Sequence, residues 1–274
     1  MSLPRHGLAF LVLFPAALPA QEPPPPPPES PLVAVQKGDL PVILSVPHGG
    51  LKPVPEVPPR LGIGLPPGSN GFFTGRDGGT EELAAAITKA VVEKTGKKPY
   101  TVVAKFHRRY IDVNRPPEIA YESPNAKGTY DAYRGTLAAY CKEVRTKYGR
   151  GLLLDVHGQT AILTAVIRGT QNGKTVALLR QRFGEKAHTG PESFFGLLDK
   201  AGLSVHPPKL DDKEYPTLNG GHIVQTYGGE AFGIDAIQLE FGVVFREPRA
   251  YADTGKKVAG VIEQFHKLYL TDAK

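Results

Sequence analysis

The chain has 274 residues, room for one sizeable domain or two small ones. Its lone cysteine, Cys141, excludes an internal disulfide and a multi-cysteine metal site. Net charge is +6, but the lysines and arginines are spread along the chain without a basic run, which argues against a nucleic-acid surface and for a mild pull on small anions.

Residues 1–20 read as a secretory signal: Arg5 and His6 precede an apolar core from Leu8 to Leu18, and Ala20 is a small residue before Gln21. The core is too short to span a bilayer, so export to the periplasm or the extracellular space is expected, without stable membrane insertion. Residues 21–31, with prolines at every position from 23 to 28, form a stiff polyproline spacer that cannot join a packed core. The folded domain therefore spans residues 32–274.

Residues 32–46 read as one or two strands broken at Lys37, Gly38 and Asp39. Residues 49–73 form a long proline- and glycine-rich loop, of the length that in compact domains usually serves function, and it is expected to wall a site. Residues 80–95 form a helix, with Thr80 as cap, Glu81 and Glu82 in the first turn and Gly96 beyond its end. A strand at 100–106 runs into a basic segment that Pro116 and Pro117 terminate. An amphipathic helix at 130–148 stops at Gly149 and buries Cys141 as a small hydrophobe. The central strand follows at 151–156, then strands at 161–168 and 175–179 joined by a hairpin turn around Gln171, Asn172 and Gly173. A helix at 191–201, a loop at 203–217, strands at 222–227 and 236–241, and a closing helix at 254–270 complete the chain. Strands alternating with helices imply an α/β fold, a single domain with a mostly parallel mixed sheet flanked by helices.

Three apolar runs end in chemistry. Residues 41–47 deliver His48, residues 151–156 deliver His157, and residues 234–239 deliver Glu240. In such sheets functional groups collect at the carboxyl ends of the strands, so these look like one site assembled from distant segments. His48 and His157, each followed by glycine, suit zinc, whose catalytic sites keep three protein ligands and an open position. The third ligand is expected to be an acid, either Asp77 or Glu81, from a loop opening onto a helix. Asp155, two residues before His157 on the same strand face, can orient its imidazole. A buried carboxylate at Glu240 beside an acidified water would serve as general base and then as proton donor. Arg108, Arg109, Asn114 and Arg115 form the strongest cationic cluster, suited to a carboxylate and a developing oxyanion. Tyr227, beside a glycine-rich segment, offers a phenol to a substrate.

The set Ser45-Val46-Pro47-His48-Gly49-Gly50, Asp77-Gly78-Gly79-Thr80-Glu81, Arg108 through Asp112-Val113-Asn114-Arg115, Asp155-Val156-His157-Gly158 and Leu239-Glu240-Phe241 resembles the N-formylglutamate amidohydrolase family over nearly all of the chain after residue 32. The resemblance implies a fold similar to zinc carboxypeptidases, with His48, an acid among residues 77–81, and His157 as zinc ligands. It implies Glu240 as general base, and Arg108 or Arg109 with Asn114 and Arg115 on the substrate. Carboxypeptidases follow the first histidine closely with an acid, whereas Leu51 stands there in this chain, so the acid comes from farther along. The expected activity is zinc-dependent hydrolysis of an amide bond in a small carboxylate-bearing substrate such as an N-acyl amino acid. The rival expectation is an exported binding module for peptides or cell-wall fragments that has lost catalysis; a serine esterase is excluded by the missing Gly-x-Ser-x-Gly elbow.

Overall fold

The computed structural model describes residues 28–68 and 71–271. The expected signal and most of the expected spacer lie outside the described residues. Seven strands, β1 (Val33–Gln36), β2 (Val42–Val46), β3 (Tyr100–Ala104), β4 (Leu152–Gly158), β5 (Val166–Gly169), β6 (Val205–His206) and β7 (Asp235–Phe241), make one sheet in the order β1-β3-β2-β4-β7-β5-β6. The middle four, β3, β2, β4 and β7, run parallel; β1 is antiparallel to β3, β5 is antiparallel to β7, and β6 runs parallel to β5. The helices are α1 (Thr80–Thr95), α2 (Pro117–Ala120), α3 (Lys127–Tyr148), α4 (Ala177–Phe183), α5 (Lys186–Thr189), α6 (Phe194–Lys200), α7 (His222–Tyr227) and α8 (Tyr251–Phe265). The single α/β domain with a mixed sheet is thus as predicted. Among the described residues no helix is long and apolar enough to cross a membrane.

The chain leaves β2 through α1 to reach β3 on one side, then returns through α3 to β4 on the other. Crossovers of one hand in opposite directions put α1 and α3 on opposite faces of the sheet. They also make the gap between the carboxyl ends of β2 and β4 a topological switch point, where α/β sheets open a crevice.

Strand alternation divides the middle strands into two different faces. On one, Val42, Leu44, Val46, Leu152, Leu154, Val156, Ile237, Leu239 and Phe241 form a continuous core with α1, α6 and α8. Each such side chain contributes roughly 1.5–3 kcal/mol by leaving water. On the other, Ile43, Leu153 and Ala236 pack beneath α3 and α7. Beyond them, toward the carboxyl ends, the same face carries Ser45, Asp155 and Gln238 in one row and His157 with Glu240 in the next. All five are buried.

Several local expectations need correction. Residues 175–179 are no strand: Gln171, Asn172 and Gly173 all take positive φ (52°, 54° and 90°), and the chain turns into a 3-10 turn and then α4. A short apolar run has no period that separates strand from helix, and here Leu178 and Leu179 pack as one helical flank. Residues 222–227 form α7, although Ile223, Val224 and Thr226 favour strands. The Ile223 N–H donates to Asn114 Oδ1 at 2.7 Å, and Ile223, Val224 and Tyr227 all turn to the core, so tertiary contacts override propensity. Of the expected strand at 161–168 only its end pairs, as β5. Thr80 does not cap α1; Gly79 holds that place at φ 85°, and the Thr80 hydroxyl donates to Asp77 O at 2.8 Å.

Candidate metal centre

His48 leaves β2 at the switch point, and Asp77 sits in the loop that enters α1, its N–H donating to His48 O at 3.1 Å. His157 rises from β4 on the polar face. Three donor atoms converge. His48 Nδ1 lies 3.2 Å from His157 Nδ1, His157 Nδ1 lies 3.1 Å from Asp77 Oδ2, and His48 Nδ1 lies 3.4 Å from the same oxygen. A tetrahedral ion with bonds of about 2.05 Å separates its ligands by about 3.3–3.4 Å, so this triangle has the size that zinc requires.

The far side of each ring supports the same reading. His48 Nε2 lies 2.7 Å from Asp112 Oδ1, and His157 Nε2 lies 2.8 Å from Asp155 Oδ2. Each Nε2 therefore donates its hydrogen outward to a carboxylate, which leaves both Nδ1 lone pairs pointing at each other and at the Asp77 carboxylate. Such a cluster is satisfied either by a proton shared with the Asp77 carboxylate or by a metal cation standing among the three atoms. Burial disfavours charge on His157, yet Asp155 and Asp77 raise its pKa well above the ordinary range. Burial would likewise raise Asp77, but hydrogen bonds with His157 and His48 and the charges of His48 and Arg108 hold it far below the usual carboxylate value. The residues fit a divalent cation of the zinc type.

The supports run outward through buried polar groups. Ser45 Oγ donates to Asp155 Oδ1 at 2.6 Å and lies 2.8 Å from the Tyr133 hydroxyl of α3. Arg108 Nη2 donates to Asp112 Oδ2 at 2.5 Å, and its guanidinium rests 5.1 Å from the Phe73 ring centre. The glycines beside the histidines serve protein packing. A Cβ on Gly49 would lie 2.8 Å from the Glu81 nitrogen and from Thr80 Oγ1 at the start of α1, and one on Gly158 would strike the Arg246 guanidinium.

Glu240 is the register partner of His157 across β4 and β7, so the two side chains are neighbours on one face. Gln238 Nε2 donates to Glu240 Oε1 at 2.8 Å. Burial pushes the Glu240 carboxyl up to about 7, against the pull of the nearby His157 charge. These groups open onto a cavity of about 330 Å³, within the range of small-molecule sites. Four arginines, Arg76, Arg108, Arg115 and Arg246, line it against two acids, Asp77 and Glu240, so its wall favours an anion. Gly68 and Phe73 contribute from the 49–73 loop, as expected, and Tyr215, Thr217 and Leu218 also line the cavity.

Of the residues singled out from the sequence, His48, Asp77, His157, Glu240, Arg108, Asn114 and Arg115 all reach this cavity. Three do not. The Glu81 carboxylate pairs with Lys105 on the outer side of α1, because the first helical turn rotates it away from the histidines. Arg109 is exposed, since the tight turn at 107–110 points it opposite to Arg108. Tyr227 is buried on the inner side of α7, where its hydroxyl donates to Arg134 O at 2.7 Å; the helix that replaces the expected strand turns it away. Asn114 is also tied up, its Oδ1 accepting the Ile223 N–H and its Nδ2 lying 3.3 Å from His157 Nε2. The sequence reading quoted Asp112 within a motif but gave it no role, and it did not single out Gln238 or Arg246. Asp112 carries a local signal, an acid four residues after an arginine; the other two carry none.

No protein-family model matches the sequence, and no curated protein does. Solved structures match it. The crystal structure of N-formylglutamate amidohydrolase from Ralstonia eutropha JMP134 aligns at a TM-score of 0.53 and 15% identity, over 86% of this chain and 97% of that one. A gene product of Agrobacterium tumefaciens aligns at a TM-score of 0.56 and 15% identity, over 86% of this chain and 94% of that one. At such identity the likeness speaks for architecture: the chain is structurally related to N-formylglutamate amidohydrolase and shares its fold.

Proposed function

We propose that this protein is a zinc-dependent hydrolase of amide bonds in small carboxylate-bearing substrates of the N-acyl amino acid kind, acting after export. The observation that carries the reading is the triangle of His48 Nδ1, Asp77 Oδ2 and His157 Nδ1, with each imidazole's other nitrogen held by a carboxylate. The relative from Ralstonia eutropha, named for an N-acyl amino acid, supports the substrate class.

His48, Asp77 and His157 would hold the ion. A bound zinc supplies Lewis acidity, which acidifies water and polarises a carbonyl. Glu240, buried on the adjacent strand, takes the proton from the attacking water and returns it to the departing nitrogen. Gln238 fixes one of its oxygens and so aims the other. Arg108 and Arg115, which line the cavity, bring positive charge to the substrate carboxylate and to charge developing on the carbonyl oxygen. Asp112 and Asp155 accept the outer N–H groups of the two imidazoles and so orient both rings with Nδ1 toward the ion.

The test pairs metal content with turnover. About one zinc per chain in wild type and none in His157→Ala is expected by elemental analysis. Glu240→Gln should keep its metal while hydrolysis across a panel of N-acyl amino acids falls by about 10²–10⁴. Wild type that refuses added zinc would overturn the proposal, as would undiminished turnover in Glu240→Gln.

A further inference from the structure

Arg246 follows a 3-10 turn, Val243–Phe245, just past β7, and its guanidinium reaches back over the carboxyl rim of the sheet. Nε donates to Phe241 O at 3.1 Å, Nη2 donates to Gln159 O at 3.1 Å, and Nη1 donates to Gly78 O. Each acceptor lies within two residues of a group in the centre. Gly78 follows Asp77, Gln159 lies two residues after His157, and Phe241 follows Glu240. One side chain therefore joins the three backbone segments that carry an acid, an imidazole and the candidate base.

The surroundings are shaped for this contact. A Cβ on Gly158 would lie 2.6 Å from Arg246 Nε and 2.9 Å from Cζ. A Cβ on Gly79 would lie 2.1 Å from the Arg246 carbonyl oxygen, at a residue already held at φ 85°. Both glycines leave room for Arg246. The His157 and Glu240 segments are already joined by the β4–β7 ladder, which extends to the pair Gly158 and Phe241, whereas the backbone around Asp77 lies outside that ladder and meets it through bonds such as Gly158 N to Asp77 Oδ2 at 3.2 Å. The planar fork places three separate nitrogens on the three carbonyls, whereas an ammonium on the same stem would carry its three donors on one atom.

We propose that Arg246 is a positioning residue that sets Asp77 against His157 and Glu240 by tying the backbone beside Asp77 to the ends of β4 and β7. Its consequence for a bound ion rests on the reading of Asp77 and His157 as ligands. With the clamp in place, the Asp77 and His157 donor atoms stand 3.1 Å apart before any ion arrives. Without it, part of the binding energy goes into assembling the site.

The experiment compares wild type with Arg246→Lys, and with Arg246→Ala in the presence and absence of millimolar guanidinium ion. In Arg246→Lys, affinity for Co2+ should fall by about 10-fold or more, as when other groups that orient ligands are lost. The visible absorption bands of bound Co2+ should change shape, and kcat should fall with KM nearly constant. Guanidinium should restore the wild-type Co2+ spectrum to Arg246→Ala. In the metal-free protein, the amides of Asp77, Gly158 and Gln159 should exchange hydrogen faster together in both variants, while those of α3 stay slow. Variants that melt earlier but keep wild-type Co2+ affinity and spectrum would show a merely structural role and overturn the proposal. Wild type that binds neither Zn2+ nor Co2+ would instead sink the cation reading. The exchange data then decide the clamp alone: faster exchange at Asp77 upholds it, and a change confined to residues 241–246 ends it.

Discussion

The two faces of β2, β4 and β7 are built from alternate residues of the same strands, yet they do opposite work. One face is apolar apart from Asp235 at the start of β7, and it meets α1, α6 and α8. The other is apolar only at its amino-terminal half, then carries Ser45, Asp155, His157, Gln238 and Glu240. The difference shows most clearly in the buried acids. Asp112 on the polar side has its pKa pulled far down: burial raises it, but the charges of Arg108 and His48 more than offset that. Asp235, at the start of β7 on the apolar side, accepts the Leu179 N–H at 2.9 Å, but that bond and the charge of Arg182 only partly offset its burial, which pushes it up to about 6. Burial is the same; the partners decide the charge.

The largest effects should separate the faces outright. His157→Ala is expected to abolish bound metal while leaving the chain folded. Leu154→Ala, one residue earlier than Asp155 and on the other face, should cost about 2–5 kcal/mol of stability and leave metal stoichiometry unchanged. Elemental analysis beside denaturant unfolding reads both. Metal loss in Leu154→Ala under conditions where it is still folded would mean that the faces are not independent. Next in size is the support behind His48. Asp112→Asn should lower zinc affinity by about 10–100-fold in a chelator competition, because the ring loses its anionic anchor; an unchanged affinity would show that the anchor is idle.

Asp235 sharpens the comparison through pH. Its carboxyl ionises near 3.8 when unfolded and at about 6 when folded. Between those values the folded state holds the extra proton, so wild-type stability falls as pH rises through that window, and the deficit is complete above about 6. Asp235→Asn keeps the acceptor for Leu179. It should match wild type at pH 4 and exceed it at pH 7.5 by an amount on the order of 2 kcal/mol in urea unfolding. A variant that is equally stable at both would show that Asp235 is not penalised. The smallest effect belongs to Glu81. Its pair with Lys105 is partly solvated, so Glu81→Gln should change stability by about 0.5 kcal/mol or less and leave zinc binding intact. Lost zinc in that variant would reopen the choice between Asp77 and Glu81.

Much of this was legible beforehand, for reasons that particular residues make plain. The three strands with His48, His157 and Glu240 at their ends could be read because buried parallel strands are continuous apolar runs, and a charged or imidazole group closing one stands out. Helix α1 could be read from Leu83, Ile87, Ala90 and Val91, and α3 from the stop at Gly149. Short elements could not. Residues 175–179 and 222–227 have too few turns to show a period, and Asn114 together with the core settled the latter.

By itself, then, the sequence determined the class of fold and the strand ends where two histidines and an acid gather. These follow from patterns of neighbouring residues, which local stereochemistry reads directly. Only the tertiary structure chose Asp77 over Glu81, turned Arg109 and Tyr227 away, and brought Arg246 to three carbonyls at once. Those outcomes depend on how a helix start is rotated and on which distant loops share a rim, and sequence spacing holds no record of either.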